Sequence, residues 1–281
     1  MLKTRIITAL LLFVFFVSAL FFSSPAVWVV LATAVAALAA WEWGALQAFG
    51  ARSRVALAVA VLLFAALIAS LHPEALGLGS GFSYQAGWGL GRWFYVPVTI
   101  FWVLVVPVWM RTRWSLPRSL AGSLIGMLLI LPTWLALIQL RQLGPWALIG
   151  LMAVVWVADT GAYFFGRRFG RTKLAPNISP GKTWEGAIGG TVLVVIYGLV
   201  IGFGFSLVSS SGIASLTFGM LAFAALSIIG DLFESLLKRQ AGLKDSSAIL
   251  PGHGGILDRI DSLTSTLPIA SLIWLLQWLL T

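Results

Sequence analysis

The chain has no cysteine and only two histidines. Disulfides, thiol nucleophiles and thiolate metal sites are therefore excluded at once. Acids are scarce as well, with nine Asp and Glu against 18 Lys and Arg in 281 residues. Charged residues make up 10% of the composition and hydrophobic ones 60%, the mean hydropathy is +1.00, and no long polar run interrupts the sequence. A soluble domain of this size could neither bury nor solvate so much apolar surface. What the chain does have is long apolar stretches. A hydrocarbon core about 30 Å thick takes roughly 20 helical residues to cross. Nine runs of about that length lie near residues 5–22, 26–48, 55–71, 94–110, 119–140, 144–166, 184–208, 213–237 and 262–280. The expectation is an all-α, polytopic transmembrane helical protein of about nine spans, the third or fourth of which could be partial or re-entrant.

Alternating those runs across a bilayer sorts the cations. Lys3, Arg5, Arg52, Arg54, Arg111, Arg113, Arg118, Arg167, Arg168, Arg171, Lys173, Lys182, Lys238, Arg239, Lys244 and Arg259 fall on one side, leaving Arg92 and Arg141 opposite. Cytoplasmic loops collect Lys and Arg, so the N-terminus is expected in the cytoplasm and the C-terminus outside. The net charge of +9 then reads as a topology signal with added attraction for anionic headgroups and polyphosphates, and not as a nucleic-acid footprint. A cleaved signal peptide fits poorly, because the first apolar run is longer than a usual signal core and ends in no small-x-small site.

Two regions are expected: residues 1–140 with five spans, and residues 141–281 with four spans and two large cytoplasmic loops. The first carries short basic loops and an outside loop from His72 to Trp93, and along the whole chain Trp93, Trp109, Trp114, Trp146 and Trp184 lie near span ends as part of an interfacial belt. Glu42, the one acid of residues 1–140 placed within a span, reads as a helix-packing or snorkelling residue. Seven of the nine acids come after residue 150, so chemistry is expected there. The two halves show no convincing inverted repeat, which weakens a transporter reading.

Lys238, Arg239, Lys244, Asp245, Asp258, Arg259 and Asp261 crowd into the segment Ser235–Asp261 between two apolar runs. Just before it, Asp231, Glu234, Ser235 and Lys238 recur at helical spacing and form one polar stripe. An acid as deep as Asp231 costs on the order of 2.5–3.5 kcal/mol unless it meets a cation, a cavity or a partner. A metal is the favoured reading, with an ion pair to Lys238 or another helix as the plainer one. Asp258 and Asp261 share a helical face at the start of the last span, reached through Leu250-Pro251-Gly252-His253-Gly254-Gly255, whose glycines let backbone N–H groups approach phosphate. Carboxylates without His or Cys partners suit Mg²⁺ completed by water and phosphate. His253 reads as a loop-fixing or phosphate-contacting residue more readily than as a base. Upstream, Asp159 is a further intramembrane acid. Ser179, Lys182, Thr183 and Glu185 form a polar set opening the seventh span, although Gly181-Lys182-Thr183 is no Walker A loop because Pro176 stands where its first glycine would be.

The pattern from Ser235 to Asp261, with Lys238-Arg239, Lys244-Asp245, His253-Gly254-Gly255, Asp258-Arg259 and Asp261, resembles the phosphatidate cytidylyltransferases, or CDP-diacylglycerol synthases. The stretches Asp159–Arg167 and Ser179–Gly186 resemble them as well. That resemblance implies transfer of CMP from CTP to phosphatidic acid, giving CDP-diacylglycerol and pyrophosphate. It also implies Mg²⁺, with a second metal ion or K⁺ often involved, and a homodimer among membrane lipids in a bacterial cytoplasmic (inner) membrane with its site open to the cytoplasm. The family's metal-binding acids map onto Asp231 and Asp258. Asp261, Lys238, Arg239, Lys244 and Arg259 are then expected to support the metal and neutralise phosphates. Substrate contacts are expected from Asp159, Ser179, Lys182, Thr183, Glu185, Ser235, His253, Gly254 and Gly255. A CTP-dependent polyprenol or phytol kinase, and an ion-coupled transporter using Asp159, Asp231 and Glu42, are the alternatives.

Overall fold

The computed structural model describes residues 2–205 and 212–280, with side chains from Ile7 onward; the Lys3 and Arg5 side chains and the expected end of the seventh span at 208 lie outside the described residues. Helices dominate. They are α1 (Leu2–Phe22), α2 (Pro25–Leu46), α3 (Ala51–Leu71), α4 (Tyr84–Ile100), α5 (Val106–Thr112), α6 (Leu120–Leu140), α7 (Pro145–Phe169), α8 (Trp184–Gly204), α9 (Ile213–Gln240) and α10 (Leu257–Leu280). A single wide π-turn, Phe101–Val105, joins α4 to α5, so Tyr84–Thr112 is one continuous rod. Among the described residues, eight of these rods, beginning with Pro25–Leu46, are long and apolar enough to cross a membrane. The protein is an all-α polytopic membrane protein. Among the described residues the one sheet is a hairpin, β1 (Lys173–Ala175) antiparallel to β2 (Ser179–Thr183), between α7 and α8.

The fourth span departs from expectation. It starts at Tyr84, inside what the sequence reads as an outside loop, and is neither partial nor re-entrant. Glycine disfavours helix in isolation, yet here it is needed for contact. A methyl group on Gly87 would stand 2.6 Å from the Phe82 ring, and one on Gly91 would stand 2.8 Å from the Tyr95 ring.

The core is built around α10, which packs against α4, α6 and α9. Tryptophans there act as donors as well as bulk. The indole N–H groups of Trp28, Trp43 and Trp102 donate to the carbonyls of Leu137 (3.0 Å), Gly122 (2.9 Å) and Thr264 (2.9 Å). The last contact has a local cause. Pro268 within α10 lacks the N–H that would close the helical bond to Thr264, and Trp102 supplies the missing donor. Trp93, Trp114, Trp146 and Trp184 are exposed, as a belt requires, whereas Trp109 is buried against Phe233.

Side chains tie several basic loops together at one end. Gln47 donates to the carbonyls of Pro117 and Ser119 (both 2.9 Å), and Gln240 to that of Trp114 (2.7 Å). Glu42 accepts from Ser246 (2.9 Å) at the same end.

Candidate active site

Small residues let α7 and α8 lie close together. A methyl group on Gly190 would come within 2.5 Å of the Ala158 carbonyl oxygen, and one on Gly161 within 2.9 Å of the Gly190 Cα. This is the small-residue packing that lets membrane helices associate without a hydrophobic driving force. The hairpin covers the end of this pair, while α9 closes one side. Between them opens a cavity of about 470 Å³, into which Asp159, Tyr163, Arg167, Ser179, Lys182 and Asp231 project.

Its charges are matched across elements. Lys182 of β2 forms an ion pair with Asp231 of α9, both about one-quarter exposed. The plainer sequence alternative therefore holds in part: Asp231 is ion-paired, but to the hairpin and not to Lys238. Ser235, one turn along, donates to Asp231 Oδ1 at 3.3 Å. Asp159 lies within electrostatic reach of Asp231, Lys182 and Arg259. Asp261 interacts in the same way with Glu234, Asp231 and Asp159. Five of the sequence-selected residues thus meet at one cavity: Asp159, Ser179, Lys182, Thr183 and Asp231.

Behind it sits a drier centre. Lys238 Nζ donates to Glu234 Oε2 at 2.8 Å and to Asp258 Oδ1 at 2.6 Å, with all three side chains nearly sealed from solvent. Asp258 Oδ2 accepts from the Ser246 N–H (2.9 Å), the Ser246 hydroxyl (3.0 Å) and the Gly255 N–H (2.8 Å). The Gly255 N–H is therefore given to Asp258 and is not left for phosphate. Gly254 adopts φ +81°, where a side chain would be strained, and a methyl there would lie 2.7 Å from Asp258 Oδ2.

Other selected residues organise backbone. Thr183 caps α8 by accepting the Gly186 N–H at 3.2 Å. Glu185 does not line the cavity; its carboxylate accepts the N–H groups of Arg171 and Thr172 at 3.1 Å. Arg239 donates to the Leu243 carbonyl at 3.2 Å. His253 sits in a tight turn closed by the Leu250 N–H on the Gly254 carbonyl at 2.9 Å, outside the cavity lining. Lys244 and Arg259 are exposed. Sequence reasoning passed over Tyr163 and Arg167, joined by a 3.0 Å hydrogen bond at the cavity wall. Their spacing of four on α7 was the available signal. It also gave Glu42 too small a part.

The acids can be tested as a Mg²⁺ site. Among the described residues no three His, Cys, Asp or Glu side chains converge tightly enough to hold an ion as they stand. Asp159 and Asp231 nonetheless offer hard oxygens to a cavity with room for water and phosphate, and an ammonium already serves as their counter-charge. That donor set fits Mg²⁺, which takes one or two carboxylates and completes its shell from solvent and substrate. Asp258 fits only by exchanging the Lys238 ammonium for the metal, since both its oxygens are otherwise engaged.

Comparison with known proteins identifies the family. Phosphatidate cytidylyltransferase of Pseudomonas aeruginosa is 40% identical to this chain over 99% of both proteins. The Haemophilus influenzae protein of the same name is 34% identical over 96% of this chain and 98% of its own. That of Thermotoga maritima is 44% identical over 48% of this chain and 51% of its own length. Residues 3–276 match the cytidylyltransferase family as a whole. Matched along nearly its entire length, the chain belongs to the cytidylyltransferase family.

Proposed function

We propose that this protein is a phosphatidate cytidylyltransferase, transferring CMP from CTP to phosphatidic acid. The observation that carries the reading is the cavity between α7, α8, α9 and the hairpin, where Lys182 and Arg167 stand beside Asp159 and Asp231. Cations are needed where two polyanions meet, and carboxylates where a divalent ion is held. The walls also suit a diacyl lipid. Phe164 of α7 and Ile188 and Val192 of α8 are exposed apolar residues adjoining cavity-lining positions.

In this reading a phosphate oxygen of phosphatidate attacks the α-phosphorus of CTP in line. The bond from that phosphorus to the oxygen bridging to the β-phosphate breaks, and pyrophosphate leaves with the electron pair. A phosphate monoester with a second pKa near 6 is already largely ionised at neutral pH, so no base is required. Lys182 transfers its charge from Asp231 to the triphosphate. Arg167, Arg259 and Lys244 neutralise phosphates at the rim. A Mg²⁺ ion held by Asp231 and Asp159, and by Asp258 on release of Lys238, would supply Lewis-acid stabilisation of the triphosphate. Ser235 and Asp261 orient and surround those carboxylates.

The one-sided basic loops support a cytoplasmic site with the N-terminus inside, nine spans counting α1, and residence in a bacterial inner membrane. The homodimer and the monovalent ion implied by the resemblance belong to the same reading; the mass of the detergent-solubilised particle and the K⁺ dependence of turnover check them. The central test is purified protein in detergent with phosphatidate, Mg²⁺ and CTP labelled at the α- or the γ-phosphate. Label from the α position in lipid, with release of pyrophosphate, supports the proposal. Label from the γ position would instead make it a lipid kinase, and solute flux without CTP consumption a transporter.

A further inference from the structure

Glu42 is completely buried in α2, yet its carboxylate is devoted to a segment more than 200 residues away. Oε1 accepts from the Ser247 hydroxyl (2.6 Å) and the Ile256 N–H (3.0 Å). Oε2 accepts from the Ser246 hydroxyl (2.9 Å) and the Leu257 N–H (2.6 Å). Burying a carboxylate is costly unless donors replace its water. The three ion pairs among the described residues do not include Glu42. Its charge is met instead by the Ser247 hydroxyl, a Ser246 hydroxyl proton shared with Asp258 and the Ile256 and Leu257 N–H groups at the start of α10, where a helix favours an anion, with the Arg54 guanidinium within electrostatic reach.

We propose that Glu42 is a positioning residue, which anchors the loop between α9 and α10 and, through Ser246, fixes the Asp258 carboxylate beside the cavity. The link is direct. The Ser246 hydroxyl, with a single proton, lies 2.9 Å from Glu42 Oε2 and 3.0 Å from Asp258 Oδ2, while the Ser246 N–H holds Asp258 as well. From there Asp258 reaches Lys238 and Glu234. The loop is shaped to admit the anchor: a methyl group on Gly255 would lie 2.5 and 2.6 Å from the two Glu42 oxygens, closer than packed atoms approach. Gly255 is therefore glycine for a carboxylate of the first half of the chain, just as Gly254 is glycine for Asp258. The site in the second half is completed by α2.

The inference rests on the cytidylyltransferase reading for its effect on turnover, but not for its effect on the loop. All four partners of Glu42 are donors, and the two backbone N–H groups cannot turn into acceptors. In Glu42→Gln the amide NH₂ must therefore face either the Ile256 or the Leu257 N–H. The expected result is a fall in kcat of about 10–100-fold, the range for lost supporting contacts behind a site. KM for CTP and phosphatidate should stay within about twofold, because Glu42 touches neither cavity nor substrate. Amide hydrogen exchange at residues 246–257 should speed up in the same variant. Thr33→Val, which removes two buried hydrogen bonds elsewhere on α2, to the Val29 carbonyl and from the Trp134 indole N–H, should change neither kcat nor exchange in that loop, whatever it costs in stability. Gly255→Ala, pressing on the same carboxylate from the loop side, should reproduce the Glu42→Gln pattern. If Glu42→Gln does not fold, Ser247→Ala removes one donor and should give a milder form of the same kinetic and exchange changes. Unchanged kcat together with unchanged loop exchange in the folded variants overturns the proposal, as does a loss of thermal stability with kcat intact. Wild-type protein that makes no CDP-diacylglycerol would sink the functional reading alone, leaving the exchange experiment to decide the anchor.

Discussion

Lys182 and Asp231 are joined in an ion pair that spans the hairpin and α9 and lines the cavity of about 470 Å³ between α7, α8 and α9. Each partner is about one-quarter exposed, so the pair contributes little to stability, about 0–1 kcal/mol. Its place in the cavity makes it a chemical element first. Asp231→Asn and Lys182→Ala are each expected to cut turnover at least about 100-fold, as lost electrostatic stabilisation does, while the melting temperature in detergent moves little. Kinetics and thermal melts on the same preparations check this.

The buried centre behaves in the opposite way. Lys238 neutralises Glu234 and Asp258 where water scarcely reaches. Lys238→Ala leaves two carboxylates facing each other and is expected to cost about 3–5 kcal/mol. Adding Glu234→Gln should recover part of that stability without restoring activity. Denaturation of the single and double variants measures the coupling.

Glu185 is expected to tolerate change better than its position suggests. It holds two backbone N–H groups of the α7–hairpin connection and does not project into the cavity. Glu185→Gln should leave kcat within about fivefold, well short of the loss expected for an oriented charged group, and should alter KM for CTP no more than that. A loss comparable to that of Asp231→Asn would place the carboxylate among the substrate contacts instead.

Close helix contact sets the cavity's shape. Gly190→Leu drives a side chain against the Ala158 carbonyl, and overpacking of this kind is expected to destabilise by about 1–3 kcal/mol and to lower turnover with it. Gly204→Ala, on the same helix with open space around it, should be silent. Thermal melts of the two variants make the comparison.

Removing divalent ions tests the metal assignment. EDTA should abolish product formation, and Mg²⁺ should restore it. Asp159→Asn should raise the Mg²⁺ concentration needed for half-maximal turnover, because it removes one of the two carboxylates facing the cavity. Titrating Mg²⁺ at saturating CTP measures the shift.

Much of this architecture could be read from residue order alone. Apolar runs of span length gave the helices, acids stranded within them gave Asp159 and Asp231, because a charge in hydrocarbon demands a partner, and the glycine-rich loop before the last span gave Asp258. The partners themselves were another matter. Asp231 meets Lys182 only when the hairpin folds over α9, whereas the sequence favoured a metal there, with Lys238 or another helix as the plainer partner. Glu42 looked like a packing residue because its four donors come from the far end of the chain. The start of α4 was missed because glycine's local preference opposes helix, while Phe82 and Tyr95 require the space that glycine leaves. In each case the deciding contact is one that no local window contains.

The bond from Trp102 to the Thr264 carbonyl bears on how such a chain is assembled. α10 alone in lipid would carry an oxygen that Pro268 leaves unserved, and hydrocarbon offers nothing to take its place. This helix is thus incomplete as a solitary span and becomes self-consistent only on docking beside the rod that carries Trp102. An indole in the first half of the sequence thereby acts as the latch for a helix in the second.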